Sequence, residues 1–152
     1  MKPVGVFQQK FESFYLYGAV EPATGESFFS EADRCNSETF GAYLKGLSEA
    51  FPDSLNLLLL DNGRHHTAKA LEVPENVVLV FLPPYSPELN PIERFWQAMK
   101  DGVAWLAFDA LDPLREKVRA LLAEFTLPQL QSLTGYRYIL KALLSLNGYF
   151  LC

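Results

Sequence analysis

Two short apolar runs, each followed at once by turn-forming residues, constrain the fold of this chain more than any other feature. Residues 55–60 end at an Asp-Asn-Gly turn, and residues 77–82 end at a pair of prolines. Such runs are typical of strands that lie buried inside a sheet. The segment between them has room for one short helix. We therefore predict two parallel strands joined by a right-handed crossover.

The part of the chain before these strands predicts a β-hairpin and a helix. Phe14–Val20 is rich in aromatic and β-branched residues, and Phe28 and Phe29 follow it after a bridge that contains Pro and Gly. That order is typical of two antiparallel strands joined by a turn. Farther along, apolar residues recur at helical spacing between a start signal at Asn36 and a stop at Pro52. These residues are Phe40, Tyr43, Leu44 and Leu47.

The second half of the chain predicts three more helices. One opens at Asn90, another opens at Asp112, and the last runs through Tyr138 and Leu144. We expect the large apolar residues of the first of these helices to belong to the core, and they are Phe95, Trp96 and Met99. The order of elements predicts an α/β fold in which helices flank a mixed sheet. A chain of 152 residues fits one domain, residues 1–152, with a helical tail over about 110–150.

The charge and cysteine content narrow the classes of function. With 13 Lys and Arg against 18 Asp and Glu, the chain cannot be a small basic module that grips DNA with its whole surface. Its two cysteines provide neither a disulfide framework nor a zinc site. The apolar runs are too short to span a membrane, and polar residues near Met1 interrupt any signal peptide. We expect a cytoplasmic protein without membrane association.

Two acidic residues are candidates for chemistry. Asp61 directly follows the first buried strand, where α/β sheets collect their ligands, although an Asp is equally at home at the start of a turn. Glu93 follows Asn90 and Pro91 in the pattern of a helix capping box, which explains it without any catalytic role. The connector before Glu93 has four prolines in the ten residues 82–91. Such a stiff connector would bring Glu93 next to Asp61.

Several stretches of the chain resemble the catalytic core of the DDE-superfamily transposases, in their mariner-like bacterial insertion-sequence branch. The most specific is PPYSPELNPIE preceded by a strand and an Asp-Asn pair. The full stretches are FYLYGAVEPATGESFF, LLLLDNGRHHTAKAL, VVLVFLPPYSPELNPIERFWQAMK and LQSLTGYRYILKAL. The resemblance spans nearly the whole chain, although the separation of Asp61 from Glu93 is a little short for this branch.

The resemblance implies an RNase H-like fold and an acidic triad that holds Mg²⁺ or Mn²⁺. In this chain Asp61 matches the second carboxylate of the triad and Glu93 matches the third. Two hard cations need oxygen ligands that converge from different elements, and a bound cation lets an acidic protein approach DNA phosphates. We therefore expect both acids to be catalytic residues and metal ligands.

The first Asp of the triad has no counterpart, because no Asp precedes Asp33. The upstream acids considered as substitutes are Glu12, Glu21, Glu26 and Asp33, and we expect none of the four to take its place. We expect the sheet to lack its first central strand and the domain to be truncated at its N-terminus. Residues 4–8 would fill the vacant slot, or another chain would do so, or the region would rearrange. Self-association through the unpaired edges is our leading expectation.

The predicted function is that of a DNA transposase catalytic domain. Such an enzyme cleaves phosphodiester bonds at insertion-element ends with a metal ion and joins them to target DNA. In this form we expect it to be weak or inactive, and to act as a homodimer or with full-length transposase or its N-terminal part. A non-catalytic remnant that binds nucleic acid or dimerises is the second hypothesis. An unrelated α/β fold, with Asp61 in a turn and Glu93 in a cap, is the third.

The residues near the two acids are candidates for supporting roles. We expect the protein to bind DNA at the nucleoid. The residues expected to contact the DNA are Arg64, His65, Lys69, Tyr85, Arg94 and Lys100. For these residues the alternatives are solvated polar positions or, for the tyrosine, packing against its own prolines. The residues expected to hold the carboxylates in place are Asn62, His66 and Asn90.

Overall fold

The computed structural model describes residues 2–11, 14–60, 71–83, 89, 90, 92–103 and 111–136. The strands, in chain order, are β1 (Lys2–Phe11), β2 (Phe14–Val20), β3 (Ser27–Ala32), β4 (Asn56–Leu60) and β5 (Val77–Phe81). The helices are α1 (Ser37–Ala50), α2 (Glu93–Val103), α3 (Leu111–Glu124) and α4 (Leu127–Thr134). The predicted hairpin, the first helix and the two strands of the crossover are all present.

The five strands form one mixed sheet in the order β3-β2-β1-β4-β5. Strands β2 and β3 form the antiparallel hairpin, and β1 pairs with β2 in the antiparallel sense as well. Strands β1, β4 and β5 run parallel to one another. The expected parallel pairing of β4 with β5 and the expected mixed sheet are therefore confirmed, whereas most of the segment that connects these two strands lies outside the described residues.

Strand β1 corrects the expectation that the sheet lacks its first central strand. Gly5 pairs with Val20 on one side and with Leu59 on the other, so β1 lies in the middle of the sheet. Three outcomes were expected for this central position, and the first was that residues 4–8 would fill it. This outcome occurs, because residues 4–8 are part of β1. The physical reason is that the backbone N–H and C=O groups along the facing edges of β2 and β4 need hydrogen-bond partners. Strand β1 provides these partners on both of its sides.

One face of the sheet is covered by α1. The predicted core residues of this helix, Phe40, Tyr43, Leu44 and Leu47, are all buried. They pack with residues of β2 and β4 that point to the same face, namely Tyr17, Ala19, Leu58 and Leu60. The helix begins where predicted, because the side chain of Asn36 accepts a hydrogen bond from the Thr39 N–H at 2.9 Å.

The opposite face is covered by α2, α3 and α4. The alternate residues of β2 point this way, and Phe14, Leu16 and Val20 form a cluster with the helices. The predicted core residues of α2, Phe95, Trp96 and Met99, are fully buried in this cluster. From α3 the cluster takes Leu114 and Val118, while Leu121, Leu122 and Phe125 are partly buried against it.

Strand β5 corrects a second expectation, that of a buried strand. Val78, Val80 and Phe81 are each 40% exposed. In the described part of the chain β5 is the last strand of the sheet, so it has a neighbouring strand on one side only. An apolar run by itself does not distinguish such an edge position from a central one.

The remaining helix predictions have mixed outcomes. Helix α4 lies within the helical tail predicted over about 110–150 but was not predicted as a separate helix, although Thr126 and Gln129 form a capping box that the sequence displays. Residues 71–76 contain no helix, and the rest of the segment that links β4 to β5 lies outside the described residues. The helix expected through Tyr138 and Leu144 also lies outside them.

Candidate functional site

Most of the predicted site residues follow β4 or belong to the proline-rich connector. Those that lie outside the described residues are Asp61, Asn62, Arg64, His65, His66, Lys69 and Tyr85. The structure does describe the strand that leads to them. Leu60 is fully buried, and its carbonyl accepts a hydrogen bond from the Leu82 N–H at 2.8 Å. Strands β4 and β5 therefore end side by side, and Asp61 follows the first of them directly in the chain.

Glu93 begins α2, and its side chain is half-buried. Its N–H donates to the carbonyl of Asn90 at 3.2 Å. Asn90 is itself fully buried, and its side-chain oxygen accepts from the Ile92 N–H at 3.3 Å. Ile92 is fully buried in the same cluster as Phe95. The start of the helix is thus held by both hydrogen bonds and apolar packing, which restricts the position from which Glu93 extends.

Arg94, the next residue of α2, contacts a residue that the sequence analysis did not select. Its guanidinium carbon lies 4.6 Å from the centroid of the Tyr136 ring, in a cation–π arrangement. Burial is the main cause that raises the pKa of the Tyr136 hydroxyl above its usual value. The charge of Arg94 lowers that pKa and the charge of Glu93 raises it, so all three side chains are electrostatic neighbours. No sequence signal links Tyr136 to this helix.

Lys100 lies in the last turn of α2 and is exposed. A positive charge at this position is favourable because the carboxyl end of a helix carries a partial negative charge. The structure therefore accounts for Lys100 as a helix-end residue, and its predicted contact with DNA stays a prediction.

Strand β1 provides no carboxylate for the site, because its sequence, KPVGVFQQKF, contains neither Asp nor Glu. Since Val6 pairs with Leu60, the residues that follow Val6 run past the end of β4. The central strand of the sheet therefore extends beyond Leu60, the last residue of β4, without an acidic residue of its own.

The other upstream acids have structural partners. The Glu21 carboxylate accepts a hydrogen bond from the Thr24 hydroxyl at 3.0 Å, within the turn that joins β2 to β3. Glu26 forms the closing end of that turn, where its carbonyl accepts from the Glu21 N–H at 2.8 Å. Asp33 forms an ion pair with Arg115 at 2.9 Å. Glu12 lies outside the described residues.

The described residues provide only some of the ligands that a metal ion needs. The half-buried Glu93 offers carboxylate oxygens, which hard divalent cations prefer as ligands. Among the residues that the structure describes, no three His, Cys, Asp or Glu side chains come together as a metal site. A site at Glu93 thus depends on Asp61 for a second carboxylate.

The described helices are α1, α2, α3 and α4. Within the described part of the chain, none of them combines the length and the apolar character needed to cross a membrane.

A comparison with protein families matches more than half of the chain. The matching family model is described as DDE superfamily endonuclease, and it covers residues 4–115. The match begins within β1 and ends within α3, so it includes every strand and the start of α2.

Two curated proteins are similar in sequence. The uncharacterized protein y4pE/y4sA of Sinorhizobium fredii is 38% identical over 94 residues, which cover 61% of this chain and 68% of that protein. The insertion element IS630 uncharacterized 39 kDa protein of Shigella sonnei is 30% identical over 97 residues. That alignment covers 60% of this chain but only 28% of the Shigella protein.

Two solved structures share the fold. The Mos1 transposase paired-end complex with left transposon end has a TM-score of 0.70 at 14% identity, over 88% of this chain and 51% of that one. The simian T-cell lymphotropic virus intasome, in complex with the PP2A regulatory subunit B56 gamma, has a TM-score of 0.57 at 15% identity. That match covers 77% of this chain and 46% of the other. The predicted RNase H-like fold is confirmed, and the chain spans about half the length of these structures.

Proposed function

This chain belongs to the DDE superfamily of endonucleases, and from that membership we propose that it is the catalytic part of a DNA transposase, in the branch of the bacterial insertion sequence IS630 and mariner. The observation that carries the proposal is the family match over residues 4–115, which takes in the whole sheet and Glu93. The transposon end named with the Mos1 complex supports element ends and target DNA as the substrates. The third hypothesis, an unrelated fold, is excluded by the family match.

Asp61 and Glu93 are the proposed catalytic residues and the proposed ligands of Mg²⁺ or Mn²⁺. A divalent ion bound there would activate a water or hydroxyl nucleophile and stabilise the leaving oxygen of a phosphodiester. The contribution of this chain is to hold the carboxylates in place. For Glu93 that support comes from Asn90 and from the buried Ile92, and we assign the corresponding role near Asp61 to Asn62 and His66.

The residues proposed to contact DNA carry positive charge or hydrogen-bond donors, or offer an aromatic ring. They are Arg64, His65, Lys69, Tyr85, Arg94 and Lys100. Contacts of this kind fit a protein of net charge −5, because they are confined to the surroundings of the two carboxylates.

We propose that the activity of this chain is weak or absent. The reason is that β1 carries no acidic residue, so the carboxylates are two rather than three. The same observation favours a second candidate function, that of a non-catalytic remnant which keeps the fold and binds nucleic acid or another transposase chain.

Titration with Mn²⁺, followed by the melting temperature, distinguishes the two candidates. A metal that binds only the folded state stabilises it by about 2.7 kcal/mol when its concentration is 100 times the Kd. We expect millimolar Mn²⁺ to raise the melting temperature of the chain. The increase should be lost in Asp61→Asn and in Glu93→Gln, which keep the shape of each side chain and remove its charge.

Glu116→Gln is the matched control, because it makes the same change at an exposed position of α3. It should leave the response to Mn²⁺ unchanged. An absent response in the unaltered chain would favour the non-catalytic remnant. Robust nicking of DNA that survives Asp61→Ala would contradict the assignment of the site.

The partners and the compartment follow from the proposed substrate. We propose DNA as the principal partner, and the cytoplasm, at the nucleoid, as the place of action. A second copy of the chain, full-length transposase or its N-terminal part is a further proposed partner. Self-association was first expected because the sheet was expected to lack its central strand, but β1 occupies that position. The exposed edge strand β5 now supports self-association instead. The single domain over residues 1–152 also stays a proposal.

A further inference from the structure

Arg94, one of the residues proposed to contact DNA, forms a pair with Tyr136, to which the proposed function assigns no role. Arg94 lies on the exposed side of α2, immediately after Glu93, and its guanidinium lies over the half-buried ring of Tyr136. An exposed arginine loses conformational freedom when it is held in one place. A persistent position for Arg94 therefore needs a rigid partner.

Tyr136 is such a partner, because the chain around it is tied to the core. Its N–H donates to the Thr134 carbonyl at 2.8 Å, and the Gly135 N–H donates to Gln131 at 2.8 Å. Thr134 is buried, and its hydroxyl donates to the Leu130 carbonyl at 2.7 Å. Leu130 lies in the same buried cluster as the apolar residues of α2. The ring is thus fixed relative to the helix that carries Arg94.

The surroundings of Arg94 differ from those of the two arginines on α3. Arg115 pairs with Asp33, and Arg119 pairs with Glu31 through two hydrogen bonds of 2.8 Å. Among the residues that the structure describes, Arg94 forms no ion pair with a carboxylate. Within the described part of the chain, its charge is therefore held by the Tyr136 ring and not by an ion pair.

The chemistry of a stacked guanidinium indicates what it would bind. When its face lies on an aromatic ring, its N–H groups point outward in the plane, where they match the spacing of two phosphate oxygens. A guanidinium carries five N–H donors, and its contact with the face of the Tyr136 ring leaves them for another acceptor. A phosphate of the DNA backbone is an acceptor of this kind.

We infer that Arg94, held on the ring of Tyr136, contacts a backbone phosphate of the DNA beside Glu93, and that Tyr136 is the residue that positions it. The inference rests on the proposed function, since it assumes that DNA lies at Glu93. Tyr136 acts only through Arg94.

Binding of a short fluorescein-labelled DNA duplex, measured by anisotropy over a range of salt concentrations, tests this inference. Arg94→Ala should weaken binding about tenfold and reduce the slope of log affinity against log salt by about 0.9, the value for one lost phosphate contact. Tyr136→Leu keeps apolar bulk but removes the ring, and it should weaken binding about threefold. Tyr136→Phe keeps the ring and should retain most of the affinity.

A double variant separates a positioning role from a merely structural one. If Tyr136 acts through Arg94, Tyr136→Leu should have no further effect once Arg94→Ala is present. Effects that multiply, or a salt slope unchanged by Arg94→Ala, would overturn the inference. Lys45→Ala removes one charge from an exposed position of α1, on the other face of the sheet, and should leave binding unchanged.

Measurements with Mn²⁺ and with EDTA keep this test apart from that of the proposed function. Glu93→Gln should remove the effect of Mn²⁺ on binding, while the effect of Arg94→Ala should persist in EDTA. A chain that shows the Mn²⁺ response but is indifferent to Arg94→Ala would overturn the inference alone. A chain that binds the duplex in neither buffer would overturn it as well.

Discussion

At the level of single residues, Gly18 determines how closely α2 approaches the sheet. A Cβ added at Gly18 would lie 2.9 Å from the ring of Trp96 and would also overlap the ring of Phe29. These two rings contact each other edge to face, with centroids 6.2 Å apart. The absence of a side chain at Gly18 therefore allows the aromatic cluster that anchors α2, and with it Glu93.

Gly18→Ala should destabilise the fold by about 1–3 kcal/mol, the usual cost of an added methyl group in a packed core. Chemical denaturation with urea measures the change. The matched control is Gly41→Ala in α1, where, among the described residues, the added Cβ would meet only Leu71 at 3.7 Å. That variant should be neutral or more stable by up to about 1 kcal/mol, because alanine is less flexible in the unfolded chain. Equal effects of the two substitutions would contradict the packing argument.

At the level of elements, ion pairs connect the outer helix α3 to strand β3. Arg119 donates two hydrogen bonds of 2.8 Å to the carboxylate of Glu31. These bonds are the main cause that lowers the pKa of Glu31 below the usual value of 4.5 for a glutamate. The Arg119 side chain is 60% exposed, so the pair is screened by water and its contribution to stability is small.

Arg119→Ala should reduce the free energy of unfolding by about 0.2–1 kcal/mol at neutral pH. The folded-state pKa of Glu31 lies below its unfolded value. The stabilisation is therefore complete above the unfolded value and is lost as the pH falls through the folded one. Urea denaturation at neutral pH and under acid conditions measures this difference.

Glu31→Gln is the control for this pair, because it removes the opposite charge, that of the partner carboxylate. The double variant should be no less stable than Arg119→Ala alone. If the free energy of unfolding of Arg119→Ala still differs from that of the unaltered chain once Glu31 is protonated, the charge of the pair is not the cause. The arginine would then stabilise the helix by packing instead.

At the level of the whole molecule, β1 joins two parts of the sheet that the chain forms separately. The hairpin of β2 and β3 is local in sequence, whereas β4 and β5 belong to the crossover. Strand β1 pairs with both and makes the two parts one sheet. This arrangement gives the chain the likeness to the Mos1 structure, with a TM-score of 0.70.

Amide hydrogen exchange tests the central position of β1. Amides buried in a strand with neighbours on both sides open only with large parts of the fold, whereas those of an edge strand open locally. We expect the amides of Val4–Gly5 and their neighbours in β1 to exchange more slowly than those of β5. Fast exchange across β1, with slow exchange in β4, would contradict the observed strand order.

The local features of this chain were predictable, because local signals encode them. The hairpin, α1 and the core residues of α2 follow from spacing and turn chemistry, and those predictions are confirmed. The capping box at Thr126 would have revealed α4 in the same way. For the candidate site, the sequence indicated the two acidic residues, Asp61 and Glu93. It also indicated a helix that begins beside Asn90.

The tertiary structure decided what depends on partners distant in the chain. Periodicity shows which side of a strand is apolar, but strand order depends on which edges remain for pairing. For that reason β1 took the central slot and β5 an exposed one. The meeting of Arg94 with Tyr136 likewise requires α4 to dock against α2, and no spacing in the sequence contains that contact. The candidate residues of the site thus come from the sequence and stay a prediction, whereas the contact of Arg94 with Tyr136 comes from packing.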